Sequence, residues 1–393
     1  MKRSTIVTTI FSVALICVVS CAALKTGSDK QIDHVFAVAG EHALRTAARF
    51  TPGEYPTNTV PGGAWETTGI YGWTSGFFPG CLWYLYERSG GEKWKDLAVP
   101  WTEGLEDVKN YTKNHDVGFM IYCSYGNGYR LTNNPAYRDV MLTAASSLAT
   151  RFNENTGCLQ SWGASERWTF PVIVDNMMNL ELLFWAAKNG GPASLYDIAE
   201  RHALTTIRTH VREDGSTFHV VDFDPATGIV RGKYTHQGYA KDSCWSRGHA
   251  WGIYGFTVAY RETKRPEFLA TATKLATYFM AHLPEDGVPY WDFNDPNIPD
   301  VPRDSSAAAI AASGLLELST LVTDTALAEK YHTTAFRILQ SLSSPAYLDE
   351  DGSSMGLLLH GVSSLPHDRA IDQSLIYGDY YFLEALLRLR AMM

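Results

Sequence analysis

The chain has 393 residues, of which 45% are hydrophobic, 19% charged and 12% aromatic, a globular composition that excludes a disordered or fibrous protein. Its formal charge is -9 and no basic stripe stands out, so no nucleic-acid partner is expected. An acidic total does not exclude an acidic ligand, because pocket charge is set locally.

The N-terminus begins with Lys2 and Arg3, followed by a mostly apolar run from Ile6 to Val19. That run is shorter than the ~20 residues a membrane-spanning helix needs. Residues 1–20 therefore read as a signal peptide, and Val18-Val19-Ser20-Cys21 as a bacterial lipoprotein cleavage site. Cys21 is the expected lipidation position; an ordinary signal peptide cut near Ala22 or Ala23 is the alternative. The expected location is the bacterial cell envelope, in the periplasm or lipid-anchored to a membrane, with the anchor as the sole membrane contact. Residues 21–29 read as a linker and 30–393 as one domain, since no later stretch is rich in Pro, Gly or Ser.

Helical periodicity then recurs at 32–48, 75–88, 93–110, 117–130, 136–153, 176–188, 193–211, 248–262, 266–283, 305–320, 325–343 and 373–391. The helices pair: an apolar or aromatic member, such as Gly76 to Trp83, precedes an amphipathic one, such as Pro266 to His282. An all-round apolar helix is buried and an amphipathic one lies outside. Six of each predict an all-α fold, an (α/α)6 barrel of six helical hairpins in a closed toroid, with 32–48 pairing to 373–391. An open solenoid is the competing arrangement. The loops 213–246 and 284–304 carry turn signals and β-like stretches, and are expected to form short hairpins at the active-site mouth. Cys81 and Cys123 fall in apolar helical runs and read as small packing residues; no cysteine or histidine spacing suggests a metal site, and no cofactor is expected.

The starts of the inner helices carry Trp73, Asp116, Asp175, Arg247, Asp304 and Asp372, which would surround one opening of the ring. Asp304 and Asp372 read first as helix caps. Asp116 and Asp175 sit between apolar runs, which raises a carboxylate pKa; a second carboxylate nearby raises it further. Such a pair suits general acid/base chemistry. The stretch from Thr235 to Trp251, with Trp73, Trp162, Trp168 and His219 in nearby segments, suits a sugar cleft with anion recognition, since tryptophan faces stack on sugar rings. Taken singly, each tryptophan also reads as core.

The motifs His-Asp-Val-Gly-Phe (115–119), Val-Asp-Asn-Met-Met-Asn-Leu (174–180) and His236 through Trp251 resemble the unsaturated glucuronyl hydrolases of glycoside hydrolase family 88. So does Leu375-Ile376-Tyr377-Gly378-Asp379-Tyr380-Tyr381-Phe382. The resemblance implies removal of a 4,5-unsaturated glucuronic acid from the non-reducing end of lyase-generated oligosaccharides. The implied chemistry is hydration of the C4=C5 vinyl ether rather than ordinary glycoside hydrolysis. It implies Asp175 as the acid and base, Asp116 as its partner, and Trp73, His115, Trp162, His219, Gln237, Arg247 and Trp251 as substrate-binding positions. Trp168 lies close enough to Trp162 to be confused with it, and Arg247 is the expected partner of a substrate anion. Where some members carry an aromatic residue, or serines with a lysine, this chain has Ser363 and Ser364 and no lysine, leaving His367 or Arg369 as substitutes. Two rivals predict different behaviour: an unsaturated rhamnogalacturonyl hydrolase, and a noncatalytic glycan-binding lipoprotein.

Overall fold

The computed structural model describes residues 29–393. The signal peptide, Cys21 and most of the expected linker lie outside the described residues. The first helix, α1, covers 29–49 of these residues. The remaining helices follow as α2 (Phe77–Ser89), α3 (Glu92–Glu103), α4 (Val117–Ile121), α5 (Asn127–Thr132), α6 (Pro135–Ala149), α7 (Leu180–Lys188), α8 (Ser194–His210), α9 (Ser246–Thr263), α10 (Pro266–Ala281), α11 (Ser305–Leu321), α12 (Thr325–Leu342) and α13 (Ile376–Ala391).

Inner and outer members alternate as the apolar patterning requires. The inner circuit runs from α2 through α4–α5, α7, α9 and α11 to α13, and α13 packs back on α2 to close the ring. The outer helices α3, α6, α8, α10 and α12 each follow their inner partner. Helix α1 completes the sixth hairpin, with Ala39 and Ala43 sharing a crevice with Phe78, Leu85, Ile376 and Leu383. The fold is therefore the closed barrel and not a solenoid. One continuous apolar core fills it, including three of the four described cysteines; the fourth, Cys158, packs with Phe170, Val172, Val221 and Phe223 under a small sheet.

Local chemistry sets the helix ends. Asn134 accepts from the amide of Ala136 with Pro135 in the first turn, and Asp324 accepts from Ala326 and Leu327. Gly90 takes a left-handed conformation (φ 66°) to stop α2. The second inner rod is interrupted where one continuous helix is expected. Between α4 and α5 the residues Tyr122–Gly126 form a π-turn, and the Ser124 hydroxyl bonds back to the Met120 carbonyl at 2.6 Å. The third inner rod starts as a 3-10 turn, Val174–Asn179, before α7.

Short antiparallel sheets decorate the mouth. They are the hairpins Tyr55–Thr59 with Trp65–Thr68 and Gly361–Ser364 with Arg369–Gln373, and a three-stranded sheet of Pro171–Ile173, Val220–Phe223 and Val230–Tyr234. The loop 284–304 forms only isolated bridges, such as Tyr290 with Arg303. The segment expected to begin the last helix at 373 is instead a strand, so Asp372 is not a cap. It has φ 57° and holds exposed His360 at 2.5 Å.

The close meeting of two inner rods depends on Gly118. A Cβ there would fall 2.5 Å from Asn179 Oδ1 and 2.6 Å from its Cα. Gly118→Ala is expected to cost roughly 1–3 kcal/mol through forced separation of packed backbone. Equilibrium urea unfolding of the variant against the parent checks this; an unchanged midpoint would refute the tight approach.

Candidate active site

Six helix starts point to one mouth, and a cleft of about 620 Å³ opens there. Trp73, Asn114, Asp116, Trp162, Asp175, Gln237, Arg247 and Tyr377 line it, with Glu66, His236, Ser363, Ser364, His367 and Arg369. The 3-10 turn after strand Pro171–Ile173 sets Asp175 on the floor; its preceding residue, Val174, donates its backbone N–H to the His219 carbonyl at 3.0 Å. Asp116 precedes α4, and its amide donates to Asn114 Oδ1 at 3.2 Å.

Both carboxyl side chains are about one-tenth exposed, 10% for Asp116 and 11% for Asp175. Burial pushes Asp116 up to about 7, against hydrogen bonds from Asn114 and Asn179 and the charge of Arg151. Burial likewise pushes Asp175 up to about 7, against its own backbone amide and the Arg247 charge. The Asp116 charge adds only a smaller push in the same direction. Desolvation, more than like-charge coupling, thus holds a proton on Asp175 near neutral pH.

Each carboxylate is backed by a buried neutral imidazole. His219 Nδ1 accepts the amides of His236 and Gln237, both at 3.2 Å. Its proton is therefore on Nε2, which lies 3.7 Å from Asp175 Oδ2. Burial holds the His219 pKa well below its ordinary value, helped by the neighbouring His236 and Arg247. His115 Nε2 lies 3.3 Å from Asp116 Oδ1, and burial brings its pKa down to about 3.

Arg247 lines the cleft and is held by several partners within the protein. Its guanidinium is 1% exposed and pairs with Asp304 Oδ2 at 2.7 Å. It also donates to the carbonyls of Val362 and Ser363, the latter at 2.5 Å, and lies over the Trp245 ring at 4.5 Å. Its charge therefore has a counter-ion inside the protein. Asp304 is both the expected cap, accepting from Ser306 and Ala307, and the counter-ion.

The family model for Glycosyl Hydrolase Family 88 matches residues 45–386. The chain belongs to glycoside hydrolase family 88. It is 46% identical to an unsaturated glucuronyl hydrolase of Formosa agariphila over 80% of this chain and 79% of the relative. It is 34% identical to an unsaturated chondroitin disaccharide hydrolase of Streptococcus pyogenes serotype M1, over 85% of each chain. Among solved structures it matches an unsaturated glucuronyl hydrolase specific for heparin, with a TM-score of 0.89 and 41% identity, covering 93% of this chain and 98% of the other. The Bacillus sp. GL1 unsaturated glucuronyl hydrolase structure gives 0.86 and 32%, covering 92% and 96%.

Within this family-88 cleft, Asp116, Asp175, Trp73, Trp162, Gln237 and Arg247 come together as expected. Trp162, not Trp168, reaches the cleft; Trp168 packs on Ile173 and Val220. His115, His219 and Trp251 do not form its wall. The two histidines stand behind the carboxylates, and Trp251 is 1% exposed, against Phe119 and Tyr381. Sequence reasoning missed Asn58 and Glu66, which join the cleft from the hairpin 55–68 with Asn58 Nδ2 on Glu66 Oε2 at 3.2 Å. No helical signal marks them. Asn114, next to the His115-Asp116 motif, was findable by adjacency. Among the described residues no cluster of three or more His, Cys, Asp or Glu gathers as a metal site.

Asp304→Ala leaves a buried guanidinium without its counter-ion and α11 without its cap. The expected loss of stability is about 3–5 kcal/mol, read from denaturant unfolding; a loss near that of an exposed ion pair would contradict the buried-pair description.

Proposed function

We propose that this protein is an unsaturated glucuronyl hydrolase acting on lyase-generated oligosaccharides of glycosaminoglycan type. The observation that carries the reading is Asp175: a buried carboxyl group, pushed up to about 7, on the floor of a family-88 cleft lined by Trp73 and Trp162. The names of the relatives support the substrate class, since they act on unsaturated glucuronyl and chondroitin disaccharide substrates.

The chemistry follows from that proton. Asp175 gives it to C4 of the vinyl ether, and positive charge builds at C5, shared with the ring oxygen. The Asp175 carboxylate then takes a proton from water as the water oxygen bonds to C5. The resulting hemiketal opens to a C5 ketone, and the hemiacetal at C1 expels the next sugar. One water is consumed and Asp175 ends protonated again. The His219 Nε2–H supports the carboxylate while it is ionised. The aromatic faces of Trp73 and Trp162 provide stacking surfaces for sugar rings. We also propose lipidation at Cys21 and residence in the bacterial cell envelope; the N-terminal sequence alone supports these.

The deciding measurement is the ultraviolet absorbance of the C4=C5 bond in an unsaturated chondroitin or heparin disaccharide. The parent protein is expected to abolish it. Asp175→Asn is expected to reduce the rate at least ~10²-fold while the fold and sugar binding persist. Normal turnover by that variant would remove Asp175 from the acid role. Turnover of galacturonyl-rhamnose in preference to glucuronyl-hexosamine would favour the pectin-directed rival, and saturable binding without turnover the noncatalytic one.

A pH dependence follows with a definite sign. Asp175 must carry its proton to act, so the rate is expected to fall as pH rises through about 7, giving a weakly acidic optimum. A rate that held well into alkaline pH would refute the buried-acid assignment.

A further inference from the structure

Asn179 lies at the end of the 3-10 turn that carries Asp175, yet its side chain serves the other carboxylate. Its Oδ1 accepts the Phe119 amide at 2.9 Å. That bond fixes the amide orientation and turns Nδ2 toward His115 Nδ1, 3.4 Å away. An amide N–H can only donate, so Nδ1 must accept and the single imidazole proton must sit on Nε2. The carboxylate oxygen nearest that position is Asp116 Oδ1, 3.3 Å from it. His115 and Asn179 are both fully buried, so water does not compete for these positions.

We propose that Asn179 is a positioning residue of the reaction: it locks His115 as the Nε2–H tautomer, so that a donor and never a lone pair faces Asp116. The consequence is electrostatic. A donor beside Asp116 favours its ionised form, and an ionised Asp116 favours the protonated form of Asp175. The charged and titratable groups facing this unit are Asp175, Arg151, His202 and His219, and none of them supplies Nδ1 with a donor. One side chain thereby links the turn bearing Asp175 to the state of Asp116. The catalytic consequence rests on the glucuronyl hydrolase reading; the tautomer does not.

The test is nitrogen-15 spectroscopy of histidine-labelled protein, with kinetics alongside. In the parent protein His115 is expected to show an unprotonated Nδ1 and a protonated Nε2; the reverse assignment overturns the proposal without any variant. Asn179→Asp retains an acceptor for the Phe119 amide but presents a carboxylate to Nδ1, so the proton is expected to move to Nδ1. A lone pair then faces Asp116, which also loses the Asn179 amide donor, and Asp116 holds its proton to higher pH. The expected kinetics are a kcat lower by roughly 10–100-fold, KM little changed, and the acid limb of the kcat profile moved toward alkaline pH. Retention of the parent tautomer, or a swapped tautomer with an unmoved pH profile, overturns the proposal. Absence of turnover in the parent would defeat the functional reading, while the spectra would still decide what Asn179 does to His115.

Discussion

Asp116 and Asp175 lose most of their hydration where two inner rods meet across Gly118 and Asn179, and much of the mouth is arranged around that loss. A carboxylate taken out of water is expensive unless it is neutralised or bonded. Here neither group has a cation in contact. Burial raises both, and the polar atoms that do approach them are amides and neutral imidazoles. The tight approach at Gly118 is what brings the two acids to one cleft. The neutral shell is what lets one of them keep a proton without an external source.

Arg247 follows from the same constraint. A free guanidinium on the cleft floor would draw Asp175 into its ionised form and oppose a positive charge forming at C5. Its pairing with Asp304 and two backbone carbonyls offsets part of that influence, while its planar face still fills the space between Trp245 and Tyr377. The cap of α11 and the neutralisation of Arg247 are therefore one residue's work. They also tie the fourth and fifth hairpins to the strand that carries Ser363.

The ring itself was legible because burial writes itself into composition. An inner helix such as α11, with Ala307 through Ala312, can approach neighbours on both sides and shows no polar face. The outer helix α12 shows one clearly. Helix starts then placed Trp73, Asp116, Asp175 and Arg247 at one mouth. What was not legible depended on backbone states that residue type does not declare. Four non-glycine residues from His360 to Asp372 have positive φ, namely His360, Asp368, Ala370 and Asp372, and a hairpin forms there where a helix start was expected. Depth was also hidden: a motif shows that His115, His219 and Trp251 belong together with the acids, but not that they stand behind the cleft wall. The Ser124 back-bond that opens the π-turn and the Asn58–Glu66 pair arise from contacts, not from periodicity.

The substrate of the proposed reaction is itself an anion, and this changes the meaning of a buried acid. A uronate entering the cleft brings a further negative charge toward Asp175 while displacing water from its surroundings. Both effects favour the protonated form, so substrate arrival secures the proton that the first step spends. After transfer to C4 the order reverses. The carboxylate of Asp175, with the His219 Nε2–H behind it, then faces a positive centre at C5 and is stabilised until water replaces the charge. An acid held ready by desolvation, and not by a fixed neighbouring charge, suits both halves of that cycle, because the cation that favours its ionised form, Arg247, is paired with Asp304 and not with Asp175.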